Sequence, residues 1–221
     1  MPGYIVNLMN MMKGLNAVLR YGVVILLGLG IGISSAMGAG STSKNPAQQI
    51  VKQNCGACHG LHGNSLIPIY PKLAAQIPQY LKKQLHDFAS GVRTSPVMFG
   101  IAKALSDTQI QELVQYFSQQ TNKSTAQPDT QLALQGKKIY HGGVIAAHVP
   151  ACAACHGLAA IGLPPLYPRL AGQNSPYIES QLLAFRGKKR DNDARAVMRD
   201  IASKLTTQKI KAVTAYLSSL R

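Results

Sequence analysis

Two pentapeptides of the pattern Cys-x-x-Cys-His, at residues 55–59 and 152–156, constrain the fold of this chain more than any other feature, and they contain all four of its cysteines. Two thiols three residues apart on one helical turn point the same way, so they can add to the two vinyl groups of one porphyrin. The histidine that follows, His59 or His156, then faces the iron as its proximal ligand. The sequence therefore predicts two covalently bound haem c groups. The predicted attachment residues are Cys55, Cys58, Cys152 and Cys155.

Other functions of a Cys-x-x-Cys pair are half of a zinc site or a thioredoxin-like redox pair. A zinc site built from four cysteines would leave both histidines without a role. A disulfide-stabilised fold would not need a histidine after each pair. Because both copies carry the histidine and no cysteine is left over, haem attachment is the favoured interpretation.

A c-type haem iron needs a sixth ligand, which is usually a methionine or a second histidine. After residue 40 the chain contains two methionines, Met98 and Met198, one downstream of each haem motif. Most methionines are buried core residues. Two methionines at equivalent distances from two motifs are instead typical of axial ligands, so the predicted iron-binding residues are His59, Met98, His156 and Met198.

Four other histidines could in principle be iron ligands, and two tyrosines that precede a proline could border a haem. For the histidines a surface or hydrogen-bonded role is the favoured interpretation, and for the tyrosines a packing role. The residues concerned are His62, His86, His141, His148, Tyr70 and Tyr167.

The chain is a tandem duplication. A shift of 97 residues superposes Cys55 on Cys152, Gln76 on Gln173 and Phe88 on Phe185. After Phe88 the shift is expected to become 100, which pairs Met98 with Met198. Each copy is small and buries a thin core on its own, so the haem is expected to complete that core. The predicted boundaries are 41–120 for the first domain, 121–131 for a polar linker and 132–221 for the second domain.

Helix signals recur along both copies, and no alternating strand pattern is present. Ser106 and Gln109 form a predicted capping box, and Ser175 is a predicted N-cap before a proline. Apolar residues spaced for one helix face predict core contacts near the end of each copy. The predicted helices include residues 78–90, 107–119, 175–186 and 207–220, so the fold class is all-α.

The first 40 residues have the pattern of an export signal. Lys13 and Arg20 precede an apolar run over residues 21–33, and small residues follow to position 40. This order is typical of a cleaved signal peptide, whereas a retained membrane anchor over residues 18–40 is the competing interpretation. Either interpretation places the haem domains outside the cytoplasm, so a periplasmic location is expected, with membrane association left open.

The net charge of +15 favours acidic partner proteins. No base-reading motif is present, so nucleic acid is not expected as a partner. A basic run flanks Met198, and it is either a solvated loop or a surface that steers an acidic redox partner. Its members are Arg186, Lys188, Lys189, Arg190, Arg195 and Arg199.

The order of helix, haem motif, loop, helix, methionine and final helix resembles a class I cytochrome c domain used twice. The phrases GKKIYHGGVIAAHVPACAACHG, YPRLAGQNSPYIESQL and LSDTQIQELVQYFSQQ are similar to the cytochrome c4 family of diheme electron carriers. The resemblance covers almost everything after residue 45. It implies two tandem class I cytochrome c domains, each wrapped around one haem, with the haem propionates meeting at the domain interface.

By this resemblance the chain carries electrons from a quinol-oxidising complex to a terminal oxidase or reductase. One alternative is a haem-bearing subunit of a membrane oxidoreductase. Another is a diheme peroxidase or sulfur-compound dehydrogenase, which would need one iron left open. Lys72 departs from the family pattern because its counterpart is Arg169. A lysine cannot make the planar, bidentate contacts of an arginine, so the first haem is expected to be held differently.

Overall fold

The computed structural model describes residues 46–124 and 126–221 of the chain. The predicted leader at residues 1–40, including the possible anchor at 18–40, lies outside the described residues. Within the described ranges the structure consists of helices and loops, and strand-like pairing is limited to the isolated bridges Val144–Val149 and Leu163–Tyr167. None of the helices described in these ranges combines the length and apolarity needed to cross a membrane.

The helices of the first copy are α1 (Pro46–Ile50), α2 (Gly56–His59), α3 (Pro78–Ala89), α4 (Pro96–Lys103) and α5 (Asp107–Ser118). The copy begins with one continuous helical path, in which a π-helical turn, Val51–Cys55, joins α1 to α2. Helices α1 and α3 both pack against α5. The apolar face predicted for α5 is confirmed, because Ile110, Leu113 and Phe117 are buried.

The second copy repeats this plan around its last helix, α10 (Thr207–Ser219). This helix packs against both α6 (Thr130–Gly142) and α8 (Ser175–Arg186). Gly136 lies where α6 crosses α10, and a β-carbon there would overlap the carbonyl of Ala212. The close crossing of these two helices therefore requires glycine. The helices are α6 (Thr130–Gly142), α7 (Ala153–His156), α8 (Ser175–Arg186), α9 (Val197–Ser203) and α10 (Thr207–Ser219), with short 3₁₀ turns at Ile145–Ala147 and Ala194–Ala196.

The local helix signals are mostly confirmed. Ser106 and Gln109 form the predicted capping box at the start of α5. The N-cap prediction for Ser175 is wrong, because α8 begins at Ser175 and Asn174 occupies the cap position. The hydroxyl of Ser175 instead donates a hydrogen bond to Oγ1 of Thr214 on α10 at 2.9 Å. The Ser175 side chain therefore makes a tertiary contact instead of the helix cap that the local sequence predicted.

The repeat keeps its 97-residue shift further than the sequence suggested. Arg93 and Arg190 are 97 residues apart, and each guanidinium stacks on the equivalent phenylalanine, at 4.6 Å from Phe88 and 4.5 Å from Phe185. The predicted change of shift directly after Phe88 is therefore wrong. The three extra residues of the second copy fall between Arg190 and Met198.

The two copies bond to each other through a reciprocal pair of amide side chains. Gln173 accepts a hydrogen bond from the Lys72 N–H and donates one to the Lys72 carbonyl, both at 2.8 Å. Gln76, the counterpart of Gln173, makes the same two bonds to the backbone of Arg169, at 2.7 and 3.0 Å. Exchanging the copies leaves this pattern unchanged, which is the property of a two-fold interface.

The buried arginines add a second reciprocal set. Arg93 donates to the hydroxyl of Tyr177 at 3.0 Å and to Oε1 of Gln181 at 2.7 Å, both in the other copy. Arg190 donates in turn to the hydroxyl of Tyr80 at 3.0 Å and to Oε1 of Gln84 at 3.1 Å. Burial alone would raise the pKa of Tyr80, but the charges of Arg190 and Arg93 outweigh it and lower that pKa.

The connection between the copies is bonded to both of them. Asn64 of the first copy donates to the Thr121 carbonyl at 2.9 Å and accepts from the Lys123 N–H at 2.8 Å. The amine of Lys72 donates to the Lys123 carbonyl at 2.6 Å. Ser124 then donates to the Ser218 carbonyl of the second copy at 2.6 Å. Residues 121–124 therefore form a strap that is hydrogen-bonded to both copies.

We expect the Gln173→Ala variant to lose about 2 kcal/mol of unfolding free energy, because the buried N–H and carbonyl of Lys72 both lose their partner. The measurement is a urea titration of the haem-loaded protein. Gln115→Ala, at an exposed position on α5, is the matched control and should stay near the wild type. Equal stability of the two variants would contradict a structural role for the reciprocal amides.

Candidate haem sites

The first motif lies at the end of the helical path that starts at Pro46. The π-helical turn ends at Cys55, and α2 carries Cys58 and His59. Burial raises the pKa of the Cys55 thiol to about 11. Both cysteines of the motif are unpaired thiols, so neither is taken by a disulfide.

The ring of His59 is oriented by a carbonyl. Its Nδ1 donates a hydrogen bond to the Pro71 carbonyl oxygen at 2.9 Å, since that oxygen can only accept. Nε2 is therefore the unprotonated nitrogen and is suited to binding a metal. Burial lowers the pKa of His59 and outweighs the opposing effect of the Pro71 bond, so the neutral ring is favoured.

The second motif repeats this geometry. Nδ1 of His156 donates to the Pro168 carbonyl oxygen at 3.0 Å, and burial lowers the pKa of His156 as well. Burial also raises the pKa of Cys152 to about 11. His156 and Cys155 lie on α7, so the second motif is again on one helical turn.

Two of the tyrosines singled out in the sequence pack against these histidines. The ring of Tyr70 lies edge-on to His59 with centroids 6.2 Å apart, and Tyr167 lies in the same way at 6.0 Å from His156. Each tyrosine directly precedes the proline that accepts the histidine bond. One loop in each copy therefore both packs against the histidine of the haem motif and orients it.

Met98 and Met198 lie near the start of α4 and α9, and both are half-buried. Each helix is anchored by a fully buried alanine, Ala102 on α4 and Ala202 on α9. Helix α4 packs against α3 and helix α9 against α8. Met198 also packs against the apolar core of the second copy. The two methionines thus occupy equivalent helices in the two copies.

The loops that follow the motifs suit a porphyrin. Both present exposed apolar side chains that match its apolar faces: Leu66, Ile67 and Ile69 in the first copy, and Ile161, Leu163 and Leu166 in the second. Nε of Arg169 is buried and has no hydrogen-bond partner among the described residues, so a haem propionate would satisfy it. Together with the thiols and neutral imidazoles, these residues fit the group.

The side chain of Lys72 is used differently from that of Arg169, which agrees with the expectation from the change of residue type. Its amine is directed to the linker carbonyl of Lys123 at 2.6 Å, and burial lowers its pKa. In the first copy the side chain at this position therefore donates a hydrogen bond to the strap. In the second copy Nε of Arg169 is left without a partner among the described residues.

The remaining histidines have other surroundings. His62 bonds to Gln120 at 3.3 Å, His141 bonds to the Tyr216 hydroxyl at 3.0 Å, and His86 lies 3.7 Å from the Asp107 carboxylate. His148 is exposed in a left-handed turn.

The basic run near Met198 is divided by the fold. Arg190 is buried at the interface and Arg199 pairs with Asp193, so neither is presented to solvent as a free charge. Arg186 bonds to the Leu205 carbonyl at 3.2 Å. Lys188, Lys189 and Arg195 remain exposed.

Comparison with known proteins agrees with these features. The family model "Cytochrome c" matches residues 133–221, and the model "Cytochrome C oxidase, cbb3-type, subunit III" matches residues 43–117. Cytochrome c4 of Pseudomonas aeruginosa is 39% identical over 201 residues, which cover 90% of this chain and 97% of that protein. This chain belongs to the cytochrome c4 family.

The structural comparison gives the same answer. The crystal structure of reduced recombinant cytochrome c4 from Pseudomonas stutzeri matches with a TM-score of 0.75 and 37% identity, covering 79% of this chain and 97% of that one. A protein of Thiomonas intermedia named "Thiosulfate dehydrogenase electron acceptor" is 36% identical over 169 residues, 75% of this chain and 78% of that protein.

The predicted fold class is confirmed: the chain has two tandem cytochrome c domains and is all-α in its described part. As a cytochrome c4 relative it is a diheme electron carrier with two covalently bound haem c groups. The domain limits 41–120 and 132–221, with linker 121–131, stay a prediction.

Replacing Cys152 and Cys155 together by serine should yield a protein with one haem, because serine hydroxyls do not form the thioether bonds. We expect the second domain to become protease-sensitive, since a domain this small depends on the haem for its core. Intact mass and the pyridine haemochrome absorbance measure the haem content. The reciprocal variant, Cys55→Ser with Cys58→Ser, should instead make the first domain protease-sensitive. Resistance of both domains to protease in both variants would contradict this account.

Proposed function

We propose that this cytochrome c4 is an exported carrier that takes electrons from a quinol-oxidising complex and delivers them to a terminal oxidase or reductase, and that it is not an enzyme. The observation that supports this most is the pair of methionines on equivalent helices, α4 and α9. A methionine opposite the histidine saturates the iron and leaves no position for oxygen or peroxide.

Each residue of the two sites has a defined task in this proposal. Cys55 and Cys58 attach the first haem, and Cys152 and Cys155 attach the second. His59 and His156 would bind iron through Nε2, because the carbonyls of Pro71 and Pro168 hold the hydrogen on Nδ1. Met98 and Met198 would supply the remaining ligands through their thioether sulfurs.

The haem supplies the ferric/ferrous couple, and the chain tunes it. A thioether ligand favours the ferrous form and raises the reduction potential, which suits a carrier late in a respiratory chain. The buried Nε of Arg169 has no partner among the described residues, so it would pair with a propionate of the second haem. Lys72 is engaged with the linker, so the first haem has no equivalent guanidinium.

Met98→Ala and Met198→Ala should each remove half of the near-infrared methionine-to-iron charge-transfer band of the oxidised protein. The potential of the affected haem should fall, because the thioether no longer stabilises the ferrous form. Redox titration followed by absorbance measures both effects. A high-spin haem in the freshly prepared wild type would contradict the carrier proposal and favour a peroxidase or dehydrogenase.

The docking surface proposed for acidic partners contains Lys188, Lys189 and Arg195. These exposed side chains precede Met198 in the sequence and carry the part of the basic run that the fold leaves in solvent. Charges of this kind raise association rates by steering, and the effect weakens with ionic strength. Export through the leader at residues 1–40 would place this surface in the periplasm.

Oxidation of the reduced protein by a membrane preparation should slow as salt increases. Lys188→Gln with Lys189→Gln should lower the low-salt rate and flatten its salt dependence, because two steering charges are removed. Lys137→Gln with Lys138→Gln, another exposed pair in the second domain, is the matched control. A rate that does not change with salt in the wild type would overturn the steering proposal.

A second electron donor is suggested by one relative. The Thiomonas intermedia protein is named as an electron acceptor of thiosulfate dehydrogenase. By that likeness a thiosulfate-oxidising enzyme could reduce this chain in place of a quinol-oxidising complex. Stopped-flow reduction by each purified donor distinguishes the two sources.

A further inference from the structure

The second domain has a longer segment before its methionine than the first. Between Arg93 and Met98 lie residues 94–97, whereas residues 191–197 lie between Arg190 and Met198. We call residues 191–197 the insertion loop. It contains the 3₁₀ turn Ala194–Ala196, and α9 begins at its last residue, Val197. The three added residues therefore fall directly before a proposed iron ligand.

The insertion loop has an unfavourable backbone. Arg195 (φ 54°) and Ala196 (φ 58°) are consecutive residues in the left-handed region. Residues with a β-carbon rarely adopt this region, because the β-carbon approaches the following carbonyl oxygen. In the first domain, Ser95 instead caps α4 by accepting a bond from the Met98 N–H at 3.4 Å. The insertion loop thus needs other contacts to hold its shape.

Asp193 supplies these contacts. Its Oδ1 accepts from Nε of Arg199 at 2.7 Å, and its Oδ2 accepts from the Arg199 backbone N–H at 3.0 Å. Its backbone carbonyl accepts from the Ala196 N–H at 3.3 Å. The Asp193 side chain is only 5% exposed, so these charge-assisted bonds are shielded from water. Since Arg199 directly follows Met198, the carboxylate closes the loop across the methionine.

The start of the insertion loop is tied to the other domain. The side-chain amide of Asn192 donates to Gln84 at 3.0 Å and to the Asp87 carboxylate at 2.6 Å. The amine of Lys83 donates to the Asn192 carbonyl at 2.9 Å. These three partners lie on α3 of the first domain. Asn192 therefore fixes one end of the loop on the first domain, and its neighbour Asp193 fixes the other end on α9.

We propose that Asp193 is a positioning residue for Met198: its carboxylate clamps Arg199 and thereby holds the thioether against the second haem, while Asn192 anchors this clamp on the first domain. The proposal rests on the proposed function in one respect, the assignment of Met198 as an iron ligand. Residues 94–97 contain no carboxylate, so the clamp acts on the second haem alone.

The test is competition by imidazole in the full-length, haem-loaded Asp193→Asn variant. Asparagine keeps the size of the side chain but loses its charge and one acceptor. Loss of a buried charge-assisted bond should lower the imidazole concentration that displaces methionine from one haem by roughly tenfold. Half of the charge-transfer band should respond, and the half from the first haem should titrate as in the wild type.

Asp200→Asn is the matched control. Asp200 lies two residues after Met198 and pairs with Lys204 at 2.7 Å, but its side chain is 63% exposed. This variant makes the same charge change and should titrate like the wild type. Asn192→Ala should shift the same haem as Asp193→Asn, by a smaller factor, because the loop keeps its bond to α9.

Three outcomes would decide against the proposal. Identical titrations of Asp193→Asn and Asp200→Asn would overturn the clamp, even if Met198→Ala removes half of the band. A full band in Met198→Ala would remove the ligand assignment, and with it the proposed function. If Asp193→Asn does not accumulate, Arg199→Gln is the substitute, because it removes only the Nε bond of a side chain that is 30% exposed. An unchanged imidazole titration of the second haem in that variant would also overturn the clamp.

Discussion

The hydrogen bond between the histidine of each haem motif and a proline carbonyl fixes the loop from which much of the remaining structure is built. Nδ1 of His59 donates to Pro71 and Nδ1 of His156 to Pro168. The residue after each proline, Lys72 or Arg169, makes both backbone bonds to the glutamine of the other domain. The same loop therefore sets the histidine tautomer and joins the domains.

This coupling depends on polar side chains at the interface. Apolar contacts alone would not specify the position of one loop against the other, because they are not directional. Here each amide side chain satisfies a donor and an acceptor of the facing backbone, so a shift by one residue would break two bonds at once. The buried arginines Arg93 and Arg190 add the same reciprocity on the side of α3 and α8.

The reciprocal amide and arginine bonds are the same in both directions, whereas other contacts of the two copies differ. Asn192 bonds to α3 of the first domain from an insertion loop that the first copy lacks. Lys72 bonds to the linker carbonyl of Lys123, whereas Arg169 keeps a buried Nε without a protein partner. A linker can cross only one of two equivalent surfaces, so the two copies cannot both use this position in the same way. Gly172 has the linker beside it, where a β-carbon would overlap Asn122, and its counterpart Ala75 keeps a β-carbon at a similar φ.

The amino-acid sequence was enough to predict covalent haem, the duplication and the helical class. The Cys-x-x-Cys-His spacing predicts Cys55, Cys58 and His59 as haem residues. Local patterns predicted the buried face of α5 and the capping box at Ser106, and the structure confirms both. Gln76 and Gln173 matched in the repeat, but matching polar residues do not reveal which backbone they bond. The position of the insertion became clear once the side chains showed Arg93 stacked on Phe88 and Arg190 stacked on Phe185 in the same way. The folded chain was also needed to place Arg190 in the interface rather than on the basic surface and to turn Ser175 toward Thr214. These last two features depend on neighbours far away in sequence, so no local pattern could predict them.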